Sequence, residues 1–227
     1  DKNFIRSRNE IVLDGYTADR SLRIVAWGNV NALGEKQSVS EAQTIEDLKV
    51  MLKSQDGLAV TPDSLYYGSE QVLTKAVAKE TEIVIRPKVG TVTIETRGLQ
   101  EQLGRMGLRS SVDCDFYLNN TLSGFDYRGT QIGDSVYYNP EGAWNESGVE
   151  WITPTMQTAC PGQDMAVSIS ANGVSLGSAK VDENGDPIYT SAGENTHLIL
   201  EWGEGGTLSV RATVRPWGVV EEDIPMH

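Results

Sequence analysis

A mainly all-β sandwich is what this sequence predicts, and three observations carry that expectation. Apolar and polar residues alternate through segment after segment, the period of strands that bury one face. Gly, Asn, Asp and Pro punctuate those segments at short intervals, as turns between strands require. Only one segment departs from this rhythm clearly, in favour of helical spacing.

The elements follow in chain order. "SLRIVAWGN" (21–29) is a strand with Arg23, Val25 and Trp27 on one face and Leu22, Ile24 and Ala26 on the other, closed by Gly28-Asn29. "EAQTIEDLKVMLKSQDG" (41–57) places Ile45, Leu48, Met51 and Leu52 at helical spacing. Ser40 or Thr44 stands at the cap position and Gly57 just past the end, so one short amphipathic helix is expected there. "TEIVIRP" (81–87) alternates Ile83 and Ile85 against Val84, and "TVTIET" (91–96) turns Val92 and Ile94 inward. "LQEQLGRMGL" (99–108) offers a weaker helical turn, since Gly104 and Gly107 disfavour helix.

The clearest hairpin is "DMAVSISANGVSLGSA" (164–179). Met165, Val167, Ile169 and Ala171 share a face, and Asn172-Gly173 suits a type I′ turn. Near the end, "HLILEWG" (197–203) places Leu198, Leu200 and Trp202 in the core, and "SVRATVRPW" (209–217) turns Val210, Ala212 and Val214 inward. A strand ends at Pro87 and another begins at Val89 with almost no linker. Two tightly joined β-sandwich domains, 1–87 and 88–227, are therefore expected, with the helix in the first. The first opens in mid-pattern at "FIRSRNEIVLDGY", and a sheet lacking its first strands would leave an unpaired edge.

Composition narrows the partners. The net charge of −13 over 227 residues repels phosphate backbones, so no nucleic-acid partner is expected, and it argues against electrostatic docking on anionic lipid. No apolar run reaches the length of a bilayer span.

The residues offer little for catalysis. The histidines are His197 and His227, and His197 reads as a solvent-facing strand residue. The acids of "EWGEGG" (201–206) and "VVEED" (219–223), among them Glu201 and Glu222, are the nearest approach to a glycosidase pair. Both stretches read more simply as solvated strand ends. "DENGDP" (182–187) imitates the start of a calcium loop, but Pro187 and Gly193 stand where glycine and glutamate are needed, so a turn is expected. Cys114 and Cys160 form no metal motif; a disulfide and two free thiols both remain open. No catalytic, cofactor-binding or metal-ligating residue is assigned, and the protein is not expected to be an enzyme. Trp144, in the loop-like "NPEGAWNESG", is the tryptophan expected to be exposed. With Tyr137 and Tyr138 it supports the alternative reading, a secreted carbohydrate-binding module.

Several segments, in this order, resemble one family. They are "SLRIVAWGN", the helical insertion, "DSLYYGS", "TEIVIRPKVGTVTIETRG", "CDFYLNNTLSGFDYRGTQIG" and "SVRATVRPWGVVEEDI". Together they resemble the FimB-type anchor and tip proteins of type V fimbriae, relatives of the fimbrillin shaft subunits. The resemblance implies two tandem transthyretin-like β-sandwich domains, export, and lipidation at an N-terminal cysteine that this chain does not contain. It further implies attachment at the outer-membrane surface, a role in pilus assembly and cell adhesion, and fimbrial shaft or tip subunits as partners through strand addition. Anchor is the favoured role over tip. Two tripeptides, Asp63–Leu65 and Asp134–Val136, resemble the Asp-Ser-aliphatic O-glycosylation sites of such organisms.

Overall fold

The structure, a computed structural model, describes residues 17–30, 34–74, 81–109, 112–153, 157–159 and 165–217. The chain first forms β1 (Ser21–Gly28), β2 (Gln37–Val39), β3 (Lys49–Leu52), β4 (Ser54–Gln55), β5 (Leu58–Ala59), β6 (Tyr66–Leu73) and β7 (Arg86–Pro87). It continues through β8 (Gly90–Arg97), α1 (Leu99–Arg105), β9 (Cys114–Asp126), β10 (Gln131–Tyr138), β11 (Ala143–Trp144), β12 (Trp151–Ile152) and β13 (Gln157–Ala159). β14 (Ala166–Ala171), β15 (Val174–Ala179), β16 (Glu194–Trp202) and β17 (Leu208–Pro216) complete it.

These strands make three sheets. β1, β6 and β7 form a small one; β8 carries β16 and then β17 on one side and β12 and β13 on the other. The third is organised by β9. One side of this long strand pairs with β10; the other pairs with β14 along Cys114–Asn119 and then with β3 along Gly124–Asp126. Pairing thus crosses residue 87, because β2–β5 join the sheet built by β9 and β10.

The second and third sheets pack face to face. Val92 and Ile94 of β8 and Leu198 and Leu200 of β16 bury against Phe116 and Leu118 of β9 and Val167 and Ile169 of β14. Phe116 lies 6.4 Å from the Trp151 ring across the layer, and Trp202 Nε1 donates to the Leu176 carbonyl at 3.0 Å. Ala166–Ala179 forms the expected hairpin: Asn172 and Gly173 both hold positive φ, 49° and 74°, as a type I′ turn requires.

The helix is not where periodicity placed it. Residues 41–48 form turns, with the Asp47 carboxylate accepting from the Thr44 N–H and hydroxyl at 2.9 and 2.8 Å, and Lys49–Leu52 is a strand. Val50 and Leu52 bury at period two because Lys49–Met51 pair with Asp126–Gly124. Long-range ladder bonds outweighed local helix spacing. Among the described residues the α-helix is α1, beyond β8, where Leu99 and Leu103 are fully buried.

"TEIVIRP" is also corrected: residues 81–85 belong to no strand, and only Arg86–Pro87 pair, with Tyr67 and Tyr66. Residues 83–85 cross the face of the small sheet over Gly28 and Gly68 instead of extending its edge. At Gly68 a Cβ would fall 2.4 Å from the Val84 carbonyl oxygen, so only glycine admits the crossing.

Candidate interaction surface

Three elements meet where the small sheet packs on the end of β9. Trp27 of β1 sits between Tyr67 of β6, 5.0 Å away, and Phe125 of β9, 5.6 Å away. The Tyr67 hydroxyl donates to the Tyr127 carbonyl at 3.0 Å. Trp27, which the sequence directs to a core or a seam, fills a seam between two sheets.

A polar latch sets the neighbouring loops. Gln37, fully buried, donates through Nε2 to Asp63 Oδ2 at 2.9 Å and to the Asn29 carbonyl at 3.2 Å. Lys36 Nζ binds Asp63 Oδ1 at 2.8 Å, and Asn29 Nδ2 donates to the Ser64 carbonyl at 2.9 Å. Burial raises the Asp63 carboxyl pKa, but the Lys36 and Gln37 hydrogen bonds outweigh it and hold the group below its ordinary value.

The outer edge of β1 is open among the described residues, since its ladder runs only to β6. Thr74 N–H donates to the Arg20 carbonyl at 2.8 Å, so Arg20 points toward β6. Antiparallel alternation then turns Leu22, Ile24, Ala26 and Gly28 toward β6 as well. The N–H and C=O groups of Arg23, Val25 and Trp27 face the open edge.

The residues singled out from sequence scatter. His197 is half-exposed on β16, and its Nε2 lies 3.4 Å from Glu95 Oε2; the other Glu95 oxygen accepts from Arg97 Nε at 3.1 Å. Glu201 is exposed farther along β16, and Glu222, Cys160 and His227 lie outside the described residues. In "DENGDP", Asp182 Oδ1 accepts from the N–H groups of Asn184 and Asp186 at 2.8 and 3.0 Å, closing a turn. The backbone bond from Asp186 leads in holding that carboxyl below its usual pKa. Among the described residues no three His, Cys, Asp or Glu side chains gather as metal ligands would.

Trp144 is not the exposed platform expected. It is half-buried with its ring edge-to-face on Trp151, 5.4 Å away at 86°. Tyr138 is buried, and Tyr137 packs against Tyr117 at 6.0 Å. The short β11–β12 pairing places Trp144 opposite Trp151 and folds the loop inward, a contact that local composition does not encode. The sequence is expected to hold no G-x-S-x-G elbow, although residues 173–177 carry those letters. Ser175 there is an exposed residue of β15 in a hairpin, without the strand-to-helix turn that presents a nucleophile. A cleft of about 520 Å³ beside β4 and β5 is lined by Lys53, Leu58, Val60 and Tyr138 among others, and its lining contains no carboxylate or histidine.

Of the Asp-Ser-aliphatic tripeptides, Asp63 is held in the latch and Leu65 is fully buried, whereas Asp134 and Ser135 are exposed. Cys114 is buried at the start of β9; burial, then the charges of Asp115 and Asp113, push its thiol pKa up to about 11. At pH 8 only about one thiol in a thousand is therefore ionised. In a reduced Cys160→Ser chain, Cys114 should react with a thiol reagent only slowly when folded and promptly in denaturant. Fast labelling of the folded chain at pH 8 would contradict that environment.

The described residues thus form a layered β fold with a ring-packed seam and an edge of β1 that none of them pairs. The chain belongs to the family described as fimbrillin-A associated anchor proteins Mfa1 and Mfa2, whose model matches residues 1–223. It is 26% identical to the major fimbrium anchoring subunit FimB of Porphyromonas gingivalis over 230 aligned residues, covering 96% of this chain and 72% of that protein. The fold is shared with the fimbrial anchor protein Mfa2 of P. gingivalis (TM-score 0.60, 17% identity, 88% of this chain and 76% of that one). It is also shared with a Bacteroides thetaiotaomicron protein provisionally described as polysaccharide-binding (TM-score 0.63, 14% identity, 89% and 77%). Among the described residues no helix is long and apolar enough to cross a membrane.

Proposed function

We propose that this protein is a non-enzymatic fimbrial accessory subunit of anchor type, held at the outer-membrane surface through an N-terminal lipid. It acts in pilus assembly and adhesion. The family match over nearly the whole chain is the observation that carries this reading, and the relative with the highest identity reported above is an anchoring subunit. Its partners are fimbrial shaft or tip subunits, joined by strand addition. The edge of β1 that is unpaired among the described residues supports this, because outward N–H and C=O groups spaced along eight residues are what an added strand pairs with.

Co-expression with a fimbrial shaft subunit, followed by co-purification, tests the assembly role; a complex is expected, and its consistent absence would rule that role out. Lipid-retaining mass spectrometry of the native protein from its producing cell tests the anchor role. An acylated N-terminal cysteine supports it, and an unacylated N-terminus removes it.

A further inference from the structure

Four cations converge at the margin of the seam, in a chain whose net charge is −13. The register Trp27↔Tyr67↔Arg86 places Arg86 on the face of the small sheet that carries Trp27, and Arg23, on the same strand as Trp27, shares that face two strands from Arg86. Lys88 Nζ lies 5.3 Å from the centroid of Tyr67, and the guanidiniums of Arg128 and Arg23 lie 5.0 and 6.0 Å from that of Tyr127. Arg128 Nε also donates to the Tyr127 hydroxyl at 2.8 Å. The turn at Gly129 rests on the same group, since a Cβ there would fall 2.8 Å from Tyr67 Cδ1 and 2.9 Å from Lys88 Cε.

Among the described residues none of the four is ion-paired. Asp126 and Glu46 are the carboxylates whose charges reach Arg128. Asp126 is engaged in its own turn, accepting from the N–H groups of Arg128 and Thr130 at 2.9 and 2.8 Å. Arg23, Arg86 and Arg128 are exposed.

We propose that this tyrosine-backed cation surface binds a sulfated glycan. Guanidinium forks match the oxygens of sulfate as they match those of phosphate and carboxylate, and rings behind them hold the heads in place before binding. A neutral sugar would need an open aromatic face, yet both rings are already covered by cations and Tyr127 is only 8% exposed. Protein interfaces also enrich Tyr and Arg, but they close on an apolar centre, whereas the exposed groups here are the guanidiniums of Arg23, Arg86 and Arg128. The acidic remainder of the surface is screened beyond about 8 Å at physiological salt, so the patch governs a ligand seated on it. This inference does not depend on the anchor reading.

Heparin serves as the probe, titrated into the whole chain by calorimetry, with neutral dextran as the comparison. Heparin binding is expected at about 0.05 M salt and should weaken markedly by about 0.3 M; dextran should not bind. Arg23→Glu with Arg128→Glu should weaken binding at least about tenfold. The milder pair Arg23→Gln with Arg128→Gln should weaken it several-fold while keeping the wild-type melting transition, and it decides the matter if the charge-reversed chain does not fold. Lys180→Gln with Arg211→Gln, one just past β15 and the other on β17, should bind as the wild type does. Absent wild-type binding at low salt, binding unchanged in the milder pair, or equal loss in the Lys180/Arg211 chain would each overturn the proposal.

Discussion

Replacing Phe116 with alanine should destabilise the protein by about 3–5 kcal/mol, the range for a large aromatic removed from a core that cannot collapse around the void. Phe116 is fully buried on β9, the strand that organises its sheet, and pairs there with Ile169 of β14. Its ring also reaches across the layer to Trp151. Removing it therefore takes away contacts within one sheet and between two, at a point where neither layer can move without breaking its ladder. Denaturant unfolding of the two chains measures the difference. A loss under about 1 kcal/mol would mean that the two sheets do not close on this residue.

A proline at Val25 should abolish association with a strand-donating fimbrial subunit while leaving the folded protein nearly intact. The N–H of Val25 faces the open edge of β1, so its removal leaves the β1–β6 ladder complete. Some loss of packing is expected, about 1–2 kcal/mol, because Val25 is half-buried. Ile24→Pro is the contrasting change. Its N–H points toward β6, so it should cost about 3 kcal/mol or more and loosen the small sheet itself. Co-purification of each variant with the shaft subunit, alongside its melting transition, separates the two effects. If Val25→Pro still binds as the wild type does, the β1 edge is not where a strand is added.

The two variants differ by one residue in sequence and by the direction of one N–H in space. That direction came from the bonding of Arg20 with Thr74 and the unbroken register that follows, both properties of a strand pairing across about fifty residues. The exposed residues Leu73, Val84 and Ile85 lie on β6 and on the segment that crosses the same small sheet. Their apolar surface sits on the part of the molecule assigned here to assembly.

Legibility in the sequence followed the range of the interactions. The hairpin of β14 and β15 could be read outright, because alternation and an Asn-Gly turn act within a few residues. Val92, Ile94, Leu198, Leu200 and Trp202 were assigned to the core for the same reason, and they are buried. The turn at Asp182–Pro187 likewise closes through its own side chain. The family, too, could be read from the order of loose segments along the chain.

Only the tertiary structure decided the rest. Ile45, Leu48, Met51 and Leu52 satisfy a helix as well as any local pattern can, yet β9 claimed Lys49–Met51 for its ladder. Trp144 reads as a loop residue, and Trp151 drew it inward. Trp27 shows its partner Phe125 only once β1 and the end of β9 are brought together. The same packing assembles Arg23, Arg86, Lys88 and Arg128 from strands and a turn far apart in the chain. Periodicity reports which face of a segment avoids water; which other segment covers that face is settled by contacts distant in sequence.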